Sequence, residues 1–339
     1  MSWHAPCFIL GNTVRFDKYL KILVLISFLV NLHSAAYARQ LRIVVLNSDG
    51  FEIIRALGAE DMVVGVGDVI AEEPDFWGEY SRLPVAGGWR MPDYEMIVKL
   101  RPDAVLGYRR SPDDESEKRL AKLGVKLFRY DFYRISNFEK EVREFAAFIG
   151  KSKEAEELLS WWKPLYSRIE KLSSTVNKPK VYIEGFGKYR SAGPGSGIHE
   201  MVTLAGGDNL AKGASIPYLE VNSEWVFSGN PDFIVKTVSL RDCYGGGCEN
   251  YLKQAVDEFE NRPGMKSLKA VRNKAILSMS PDIGPGPRGI IGVIEIAKRL
   301  HPEQFADIDP IRIHSDYLKK FHNLDYKGIY IYEPLSVSQ

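Results

Sequence analysis

The sequence predicts an α/β protein built from two similar lobes that one long helix joins. Three observations lead to this prediction. Short β-branched runs alternate with helical segments along most of the chain, which is typical of mainly parallel sheets covered by helices. Residues 151–175 carry apolar side chains at three- and four-residue steps, so they form a helix of roughly 35 Å. Two sequence patterns that precede this helix recur after it in the same order.

The internal repeat consists of two matched pairs of segments. Segments 95–103 and 224–232 both run from a glutamate to Pro-Asp over the same seven-residue step. Segments 52–58 and 200–206 both begin with a glutamate and end with a glycine. Two matches in one register indicate two structurally similar halves rather than chance similarity.

The long helix divides the chain into an N-terminal lobe over 39–150, a bridging helix over 151–175 and a C-terminal lobe over 176–339. One face of the helix carries Leu158, Trp162, Tyr166, Ile169 and Leu172. Pro164 lies inside the run and should kink the helix, because proline removes a backbone hydrogen bond.

The remaining elements follow from apolar runs and capping residues. Strands are predicted at 41–47, 62–66, 104–108 and 125–130, and then at 180–184, 233–238 and 275–279. Helices are predicted at 52–57, 115–123, 137–149, 199–204, 255–262 and 290–300, with two more that carry Glu95 and Glu224. Asp93 caps the helix of Glu95. Residues 327–339 are extended and have no assigned element.

Composition excludes several classes of protein. A formal net charge of +1 argues against a nucleic-acid-binding protein, which would be markedly basic. The sequence has no run of about 18 apolar residues, so no stable membrane-spanning helix is expected. An apolar content of 45% is ordinary for globular domains of this size.

The N-terminus has the order of a secretory signal peptide. Basic residues Arg15, Lys18 and Lys21 precede the apolar run 22–30, and Ala36-Tyr37-Ala38 forms a small-x-small cleavage site. The alternative is a buried N-terminal helix. We expect export, with removal of residues 1–38 and a location in the periplasm or at the outer face of the cytoplasmic membrane. No cysteine near the cleavage site offers a lipid attachment point.

Two cysteines remain in the mature chain, Cys243 and Cys248, separated by Tyr-Gly-Gly-Gly. In an oxidising compartment such a pair favours a disulfide, although free thiols are the alternative. A structural zinc site would need two further ligands, and no Cys or His lies nearby.

Candidate ligand-binding residues come from the carboxyl ends of the predicted strands, where open α/β sheets bind their ligands. Arginines and aromatic residues alternate in these loops: Trp89, Arg90, Tyr108, Arg109, Tyr189, Arg190, Tyr244 and Arg288. Each residue alone is an ordinary half-exposed loop side chain. Together they predict a cleft for a flat or polyaromatic, partly anionic ligand.

Enzyme motifs are weak. The loop 193–197 lacks the spacing of a dinucleotide fingerprint and the Lys-Ser/Thr of a phosphate-binding loop. His199-Glu200 lacks the second histidine of a zinc-protease helix. An enzyme in this cleft, such as a metal chelatase, would need a titratable base, for which Asp49, Asp131 and His199 are the candidates.

Four segments, 52–67, 83–108, 218–235 and 262–279, together resemble the substrate-binding proteins of ABC importers that take up iron–siderophore complexes, haem or vitamin B12. The resemblance implies the class III periplasmic-binding-protein fold, with two Rossmann-like lobes, one rigid bridging helix and little hinge motion. It also implies a monomer peripheral to the membrane, without catalysis or resident cofactor. The implied partners are a permease dimer and its ATPase subunits.

The resemblance also assigns a docking role to one glutamate on each lobe, and implies that these glutamates meet arginines on the two permease subunits. The matching positions are Glu95 and Glu224, which are equivalent in the internal repeat. Paired charges suit a pseudo-twofold protein that docks on a twofold permease. Three features depart from the family pattern: no β-hairpin before the first strand, Pro164 in the helix, and the cysteine loop.

The sequence therefore predicts a solute receptor whose eight arginine and aromatic cleft residues hold a ferric chelate. Haem or a corrinoid is the alternative ligand within the same family. A chelatase-like enzyme and an extracellular sensor or adhesion module are the alternatives from other classes.

Overall fold

A computed structural model describes residue 1 and residues 39–185, 187–239 and 243–334. The chain divides into a unit of residues 1–41 and a larger compact unit of residues 42–339. Apart from Met1, the predicted signal peptide lies outside the described residues and stays a prediction. Within the described part of the chain, no helix is both long and apolar enough to cross a bilayer.

The first sheet of the larger unit has four strands in the order β2-β1-β3-β4, and all of its pairings are parallel. The strands are β1 (Ile43–Val45), β2 (Val63–Val66), β3 (Ala104–Gly107) and β4 (Lys126–Arg129). The associated helices are α1 (Ser48–Ala56), α2 (Asp68–Ala71), α3 (Pro74–Trp77), α4 (Tyr94–Leu100), α5 (Asp114–Lys122) and α6 (Ile135–Ile149). Strands β1 and β3 are fully buried, which is typical of a parallel sheet covered on both faces, whereas the edge strand β4 is partly exposed.

The second sheet has the order β11-β10-β9-β5-β7, and only its edge strand β11 is antiparallel. Its strands are β5 (Lys180–Glu184), β7 (Asp208–Asn209), β9 (Phe233–Thr237), β10 (Ile276–Met279) and β11 (Ile331–Tyr332). A separate antiparallel pair joins β6 (Arg190–Ala192) to β8 (Tyr218–Glu220). The helices are α8 (Gly197–Leu204), α9 (Ser223–Gly229), α10 (Cys248–Glu260), α11 (Lys269–Arg272), α12 (Gly289–Leu300) and α13 (Pro310–His322).

Helix α7 (Ser152–Ser173) connects the two sheets, as the apolar spacing predicts. It packs against α6 of the first lobe and against α12 of the second. Leu158, Trp162 and Ile169 of the predicted face are buried, whereas Tyr166 and Leu172 are partly exposed. Pro164 lies inside the helix on its exposed side, and the helix continues through it.

The internal repeat extends to matching local structure in α4 and α9. Asp93 and Asn222 cap the two seven-residue helices, each accepting a hydrogen bond from the backbone N–H three residues later. Both helices end at a residue in the left-handed conformation, Arg101 with φ 47° and Asn230 with φ 39°. A common cap and a common stop explain why the segment between them has one length in both lobes.

The Pro-Asp pair that follows each helix also has one structural role. Asp103 Oδ2 accepts the N–H of Arg42 at 2.9 Å, and Asp232 Oδ2 accepts the N–H of Lys180 at 2.8 Å. The same aspartates donate their own N–H to the carbonyls of Arg42 and Lys180. Each aspartate therefore aligns the entry to one strand with the entry to its neighbour.

Several elements differ from the sequence prediction. Helix α1 begins at Ser48 rather than 52, because the Asn47 side chain accepts the N–H of Gly50 and caps it. Helix α10 begins at Cys248 rather than 255, with a buried face continuous through Leu252 and Val256. Helix α13 was not predicted, although Asp309 as cap and Pro310 in the first turn are start signals. The tail forms β11 where no element was assigned.

We predict that Asp103→Ala and Asp232→Ala each lower the free energy of unfolding by about 1 kcal/mol, because each leaves a strand-entry N–H without its partner. The loss of the strand-entry hydrogen bond should be similar at the two sites, since the repeat gives both aspartates that contact; Asp232 also lies 2.7 Å from Lys269 Nζ, a partly exposed ion pair that adds little. Urea unfolding measures both losses. The exposed Asp316→Ala is the control and should change stability by less than about 0.5 kcal/mol. A loss no larger than the control at either site contradicts the shared role.

Candidate ligand-binding cleft

The two lobes approach each other at the carboxyl ends of their parallel strands. A Cβ at Gly197, the first residue of α8, would lie 2.8 Å from the carbonyl oxygen of Tyr133 in the first lobe. A Cβ at Gly286 would lie 3.5 Å from Asp49 Oδ1. Loops of the second lobe therefore meet loops that follow β1 and β4, which is where such sheets bind ligands.

The first lobe presents a row of three aromatic rings. Trp89 and Tyr108 make an edge-to-face contact with ring centroids 5.3 Å apart, and Tyr108 makes a similar contact with Tyr133 at 5.7 Å. The hydroxyl of Ser111 donates to the carbonyl of Trp89, which ties the loop after α3 to the loop after β3. The row leads from the rim of the first lobe to the place where the second lobe approaches.

Tyr108 is oriented by Asp49 at the amino end of α1. The Tyr108 hydroxyl donates to Asp49 Oδ2 at 3.0 Å. Burial raises the pKa of Asp49 to about 7; the Tyr108 hydrogen bond opposes this rise, and the Glu52 carboxylate adds to it. Asp49 therefore carries less negative charge near neutral pH than an exposed aspartate would.

The guanidinium of Arg109 is held in place by two buried carboxylates, Asp131 and Glu141. Its Nε donates to Asp131 Oδ2 at 3.0 Å, and its Nη2 donates to Glu141 Oε1 at 3.2 Å. The side chain is 57% exposed although both partners are buried. Burial, and then the charge of Asp131, raises the pKa of Glu141 to about 7. The pair fixes the guanidinium at the surface of the lobe.

Each lobe places an arginine over an aromatic ring. The guanidinium of Arg90 lies 4.4 Å from the centroid of Trp89, and that of Arg190 lies 5.9 Å from the centroid of Tyr218. Strands β6 and β8 carry the second pair, because Ala192 is paired with Tyr218 in register. Within the described part of the chain, neither Arg90 nor Arg190 forms an ion pair. Both charges remain available to a ligand.

Tyr218 of the second lobe faces the first lobe. Its ring is 46% exposed. Burial of its other side raises the pKa of Tyr218, an effect that Arg190 and Arg134 oppose and that Asp131 reinforces. Since Asp131 and Arg134 belong to the first lobe, Tyr218 faces that lobe across the cleft.

A cavity of about 430 Å³ continues the wall of the first lobe beside Trp89. Its volume is within the range of small-molecule sites. Arg90, Met91, Tyr94, Arg110, Asp113 and Glu115 are among its lining residues. The cavity adds a second arginine, Arg110, that has no ion pair among the described residues, although the carboxylates Asp113 and Glu115 share the lining.

Three of the predicted ligand-binding residues contact other residues of the protein and do not face the open cleft. Tyr189 lies under the Arg262 guanidinium at 5.1 Å, and its N–H donates to Glu184. The hydroxyl of Tyr244 donates to the carbonyl of Asp325 at 2.8 Å. Arg288 is 4% exposed and lies against Glu52. The structure therefore brings together Trp89, Arg90, Tyr108, Arg109 and Arg190, and not these three.

Two aromatic residues and one carboxylate lie in the site although they were not among the eight ligand-binding residues predicted from the sequence. Tyr133 follows β4 and Tyr218 lies on β8; both stand in loops or crossings that the sequence marks as facing the other lobe. Asp49 follows β1, and the sequence considered it only as a base for an enzyme. Asp49 and Tyr133 could have been found from their positions after strand ends, whereas Tyr218 is the first residue of β8 and could have been found from its place in a crossing segment.

Cys243 and Cys248 are joined by a disulfide, with their Cα atoms 5.1 Å apart. Both are buried, and α10 begins at the second cysteine. Residues 240–242, which precede the bridge, lie outside the described residues. No group of three or more metal-ligating side chains occurs in the described segments.

Glu95 and Glu224 are exposed in the first turns of α4 and α9. Each is the second residue of its helix, so the repeat gives both carboxylates the same local setting. Their predicted docking role is not tested by this geometry and stays a prediction.

Two lobes of parallel sheets, one bridging helix and a cleft rimmed by arginines and aromatic rings define a two-lobed solute-binding protein. The periplasmic binding protein family model matches residues 43–283, and the chain belongs to that family. This confirms the resemblance and the fold class that the sequence predicts. The chain is a solute-binding protein of the ABC-importer type.

The relatives and structural neighbours are named for different uptake systems or binding roles. The high-affinity heme uptake system protein IsdE of Staphylococcus aureus (strain MRSA252) is 27% identical over 296 residues, covering 85% of this chain and 96% of the relative. The TroA-like periplasmic binding protein FepB from Veillonella parvula superposes with a TM-score of 0.72 at 21% identity, covering 87% and 95% of the two chains. The vitamin B12 binding protein BtuF of Vibrio cholerae superposes with a TM-score of 0.64 at 18% identity, covering 78% and 97%. The two structures support the fold.

We predict that Asp49→Asn flattens the pH dependence of stability. Because folding raises the pKa of Asp49 from 3.8 to about 7, its contribution to stability is present at low pH and is lost as the pH rises through about 7. The fall in unfolding free energy between about pH 5 and about pH 8 should be smaller in the variant than in the wild type. Chemical unfolding at both pH values measures this. An unchanged difference, equal to that of the exposed control Asp316→Asn, contradicts the perturbed pKa.

Proposed function

We propose that this protein captures an iron(III)–siderophore-type chelate in the interlobe cleft and delivers it to an ABC permease. The observation that carries the proposal is the pair of arginine–aromatic contacts, Arg90 on Trp89 and Arg190 on Tyr218, one from each lobe. An unpaired guanidinium beside a flat ring suits a ligand with anionic groups at the edge of an aromatic or planar surface.

The electrostatics of the cleft floor agree with an anionic ligand. Asp49 and Glu141 have pKa values raised to about 7, so each is partly neutral near physiological pH. Asp131 is matched by Arg109. The carboxylates beneath the cleft therefore oppose an anion weakly, while Arg90, Arg110 and Arg190 attract one.

Haem is the second candidate ligand, and two observations favour it. The relatives with 27% identity are proteins of a haem uptake system. Met91, beside the Trp89–Arg90 pair, is 82% exposed, and a thioether is one of the axial ligands that haem iron accepts. A corrinoid is the third member of the same ligand class.

The relatives are binding proteins of transport systems rather than enzymes. We extend this role to the present chain: binding is reversible and leaves the solute unchanged, and ATP hydrolysis on partner subunits drives transport. Export by the N-terminal segment 1–38 would place the protein in the periplasm or at the outer face of the cytoplasmic membrane, where a monomer meets its permease.

We predict that a panel of ferric siderophores, haem and cobalamin includes at least one ligand that quenches tryptophan fluorescence, because Trp89 lies in the cleft. Arg90→Ala and Arg190→Ala should each weaken binding of that ligand about three- to thirtyfold, through loss of charge and of stacking. Fluorescence titration gives the dissociation constants.

Arg312→Ala, an exposed arginine on α13, is the matched control and should leave affinity unchanged. Quenching by haem but by no siderophore would replace the first ligand with the second, and Met91→Ala would then shift the haem absorption spectrum. Absence of binding by every member of the panel rejects the ligand class.

We predict that Glu95→Lys combined with Glu224→Lys abolishes uptake in cells while ligand affinity stays unchanged. Both carboxylates are exposed in equivalent helix turns, so reversing them places positive charges against the permease arginines that the family resemblance implies. Cellular uptake and the dissociation constant are measured on the same variant. Glu303→Lys, an exposed glutamate outside these helices, is the control. Normal uptake by the double variant removes the docking role.

A further inference from the structure

The repeat contains a second pair of equivalent glutamates, and neither faces solvent in the way that Glu95 and Glu224 do. Glu52 lies on α1 of the first lobe, and Glu200 lies on α8 of the second. Each carboxylate pairs with an arginine of the opposite lobe: Glu52 with Arg288, and Glu200 with Arg134. The exchange is reciprocal, as a pseudo-twofold relation between the lobes requires.

The Glu52 pair is buried. Arg288 Nε lies 2.9 Å from Glu52 Oε1, and both side chains are 5% exposed. The Tyr317 hydroxyl of α13 donates to the same oxygen at 2.9 Å. Arg55, one turn further along α1, donates through Nε to His322 Nδ1 at 2.9 Å. Helix α13 of the second lobe is thus attached to α1 of the first by charged and neutral hydrogen bonds.

The Glu200 pair is partly exposed. Arg134 Nε donates to Glu200 Oε1 at 2.5 Å, and Arg134 Nη1 donates to the carbonyl of Gly195 at 3.3 Å. The hydroxyl of Ser136, at the start of α6, donates to the same carboxylate at 3.2 Å. The side chains of Arg134 and Glu200 are 26% and 18% exposed. This second contact joins the first turn of α6 to the first turn of α8.

The two pairs lie on the two sides of helix α7. Trp161 of α7 packs on Tyr317, the partner of Glu52, with ring centroids 5.0 Å apart. Helix α8, which carries Glu200, also packs against α7. The Glu200 carboxylate adds to burial and Glu170 in raising the pKa of Tyr166 on α7. A single helix between two lobes resists stretching but leaves bending and twisting about its axis open. Contacts on both sides oppose those motions.

We propose that Glu52–Arg288 and Glu200–Arg134 are reciprocal positioning pairs that set the separation of the two cleft walls. Arg134 follows Tyr133 directly, and Arg288 ends the loop whose Gly286 approaches Asp49. Each pair therefore fixes a cleft-lining loop of one lobe to the first helix of the other. Arg288, which the sequence predicted as a ligand contact, acts on the ligand through this geometry.

The two pairs differ in how readily they separate. Glu52–Arg288 is enclosed by Phe76, whose ring lies 4.6 Å from the Arg288 guanidinium, and breaking it would leave charge without water. Glu200–Arg134 is open to solvent, so its partners can exchange with water at lower cost. We call the two pairs together the brace. The buried Glu52–Arg288 pair holds the lobes at a fixed position, and the lobes can separate at the exposed Glu200–Arg134 pair.

The test measures the interlobe distance in the unliganded protein, so it does not depend on the proposed ligand. Spin labels are placed at the exposed positions Lys118 and Lys266, one on each lobe, and their distance distribution is recorded by pulsed EPR. The wild type should give one narrow distribution. Glu200→Gln should broaden it, and the charge exchange Arg134→Glu with Glu200→Arg should narrow it again. Asp257→Asn, which breaks an exposed ion pair within α10, is the matched control.

A distribution for Glu200→Gln that superimposes on the wild type overturns the proposal, and so does a broadened one that the charge exchange leaves broad. Glu52→Gln removes a buried charge and is scored only after circular dichroism shows that it folds; the exposed pair decides the outcome without it. A second readout rests on the proposed function: for whichever ligand binds, Glu200→Gln should raise the dissociation rate about tenfold. If Glu200→Gln broadens the distance distribution but no ligand of the panel binds, the proposed ligand class is rejected and the proposal of two positioning pairs is kept.

Discussion

The structure depends on the packing of helix α7 against both lobes at once. Its adjacent tryptophans contact different partners: Trp162 lies 5.2 Å from Phe138 of α6, and Trp161 lies 5.0 Å from Tyr317 of α13. Successive residues on a helix point about 100° apart, so a Trp-Trp pair reaches both lobes from one position. The buried Trp162 and the half-buried Trp161 fix α7 to both neighbours, and the positions of the cleft walls follow from that.

Because the two lobes are held in place, arginines have different roles according to how deeply they are buried. Arg90 and Arg190 are themselves exposed, lie over the half-buried Trp89 and the exposed Tyr218, and keep their charge available. Arg288 and Arg262 also lie over aromatic rings, but both are buried and neutralised by Glu52 and Glu184. A buried guanidinium must be paired because its desolvation is costly, whereas an exposed one needs no partner. Burial therefore separates arginines that support the cleft from arginines that line it.

The internal repeat produces two pairs of equivalent glutamates, one pair exposed to solvent and one pair in contacts between the lobes. Glu95 and Glu224 project into solvent from short capped helices, and Glu52 and Glu200 cross between the lobes. A pseudo-twofold axis places any repeated surface residue at two related sites, and any repeated interface residue at two reciprocal contacts. One duplication thus accounts both for the symmetric outer surface and for the bracing of the interior. The asymmetry between the buried and the exposed brace arises from α13, which covers only the Glu52 side.

The sequence alone determined the α/β class, the bridging helix, most strands and the repeat, because these depend on local periodicity, capping residues and Pro-Asp stops. It also located the loops from which Trp89, Arg90, Tyr108, Arg109 and Arg190 reach the cleft, since strand ends can be read from the chain. It did not separate these from Tyr189, Tyr244 and Arg288, nor find α13 or the pairing of Glu52 with Arg288. Those depend on which side chains cover one another in space, through contacts that join residues 81 positions apart at Tyr244 and 265 positions apart at Glu52. Only the tertiary structure decided them, because burial and charge pairing are properties of neighbours in space.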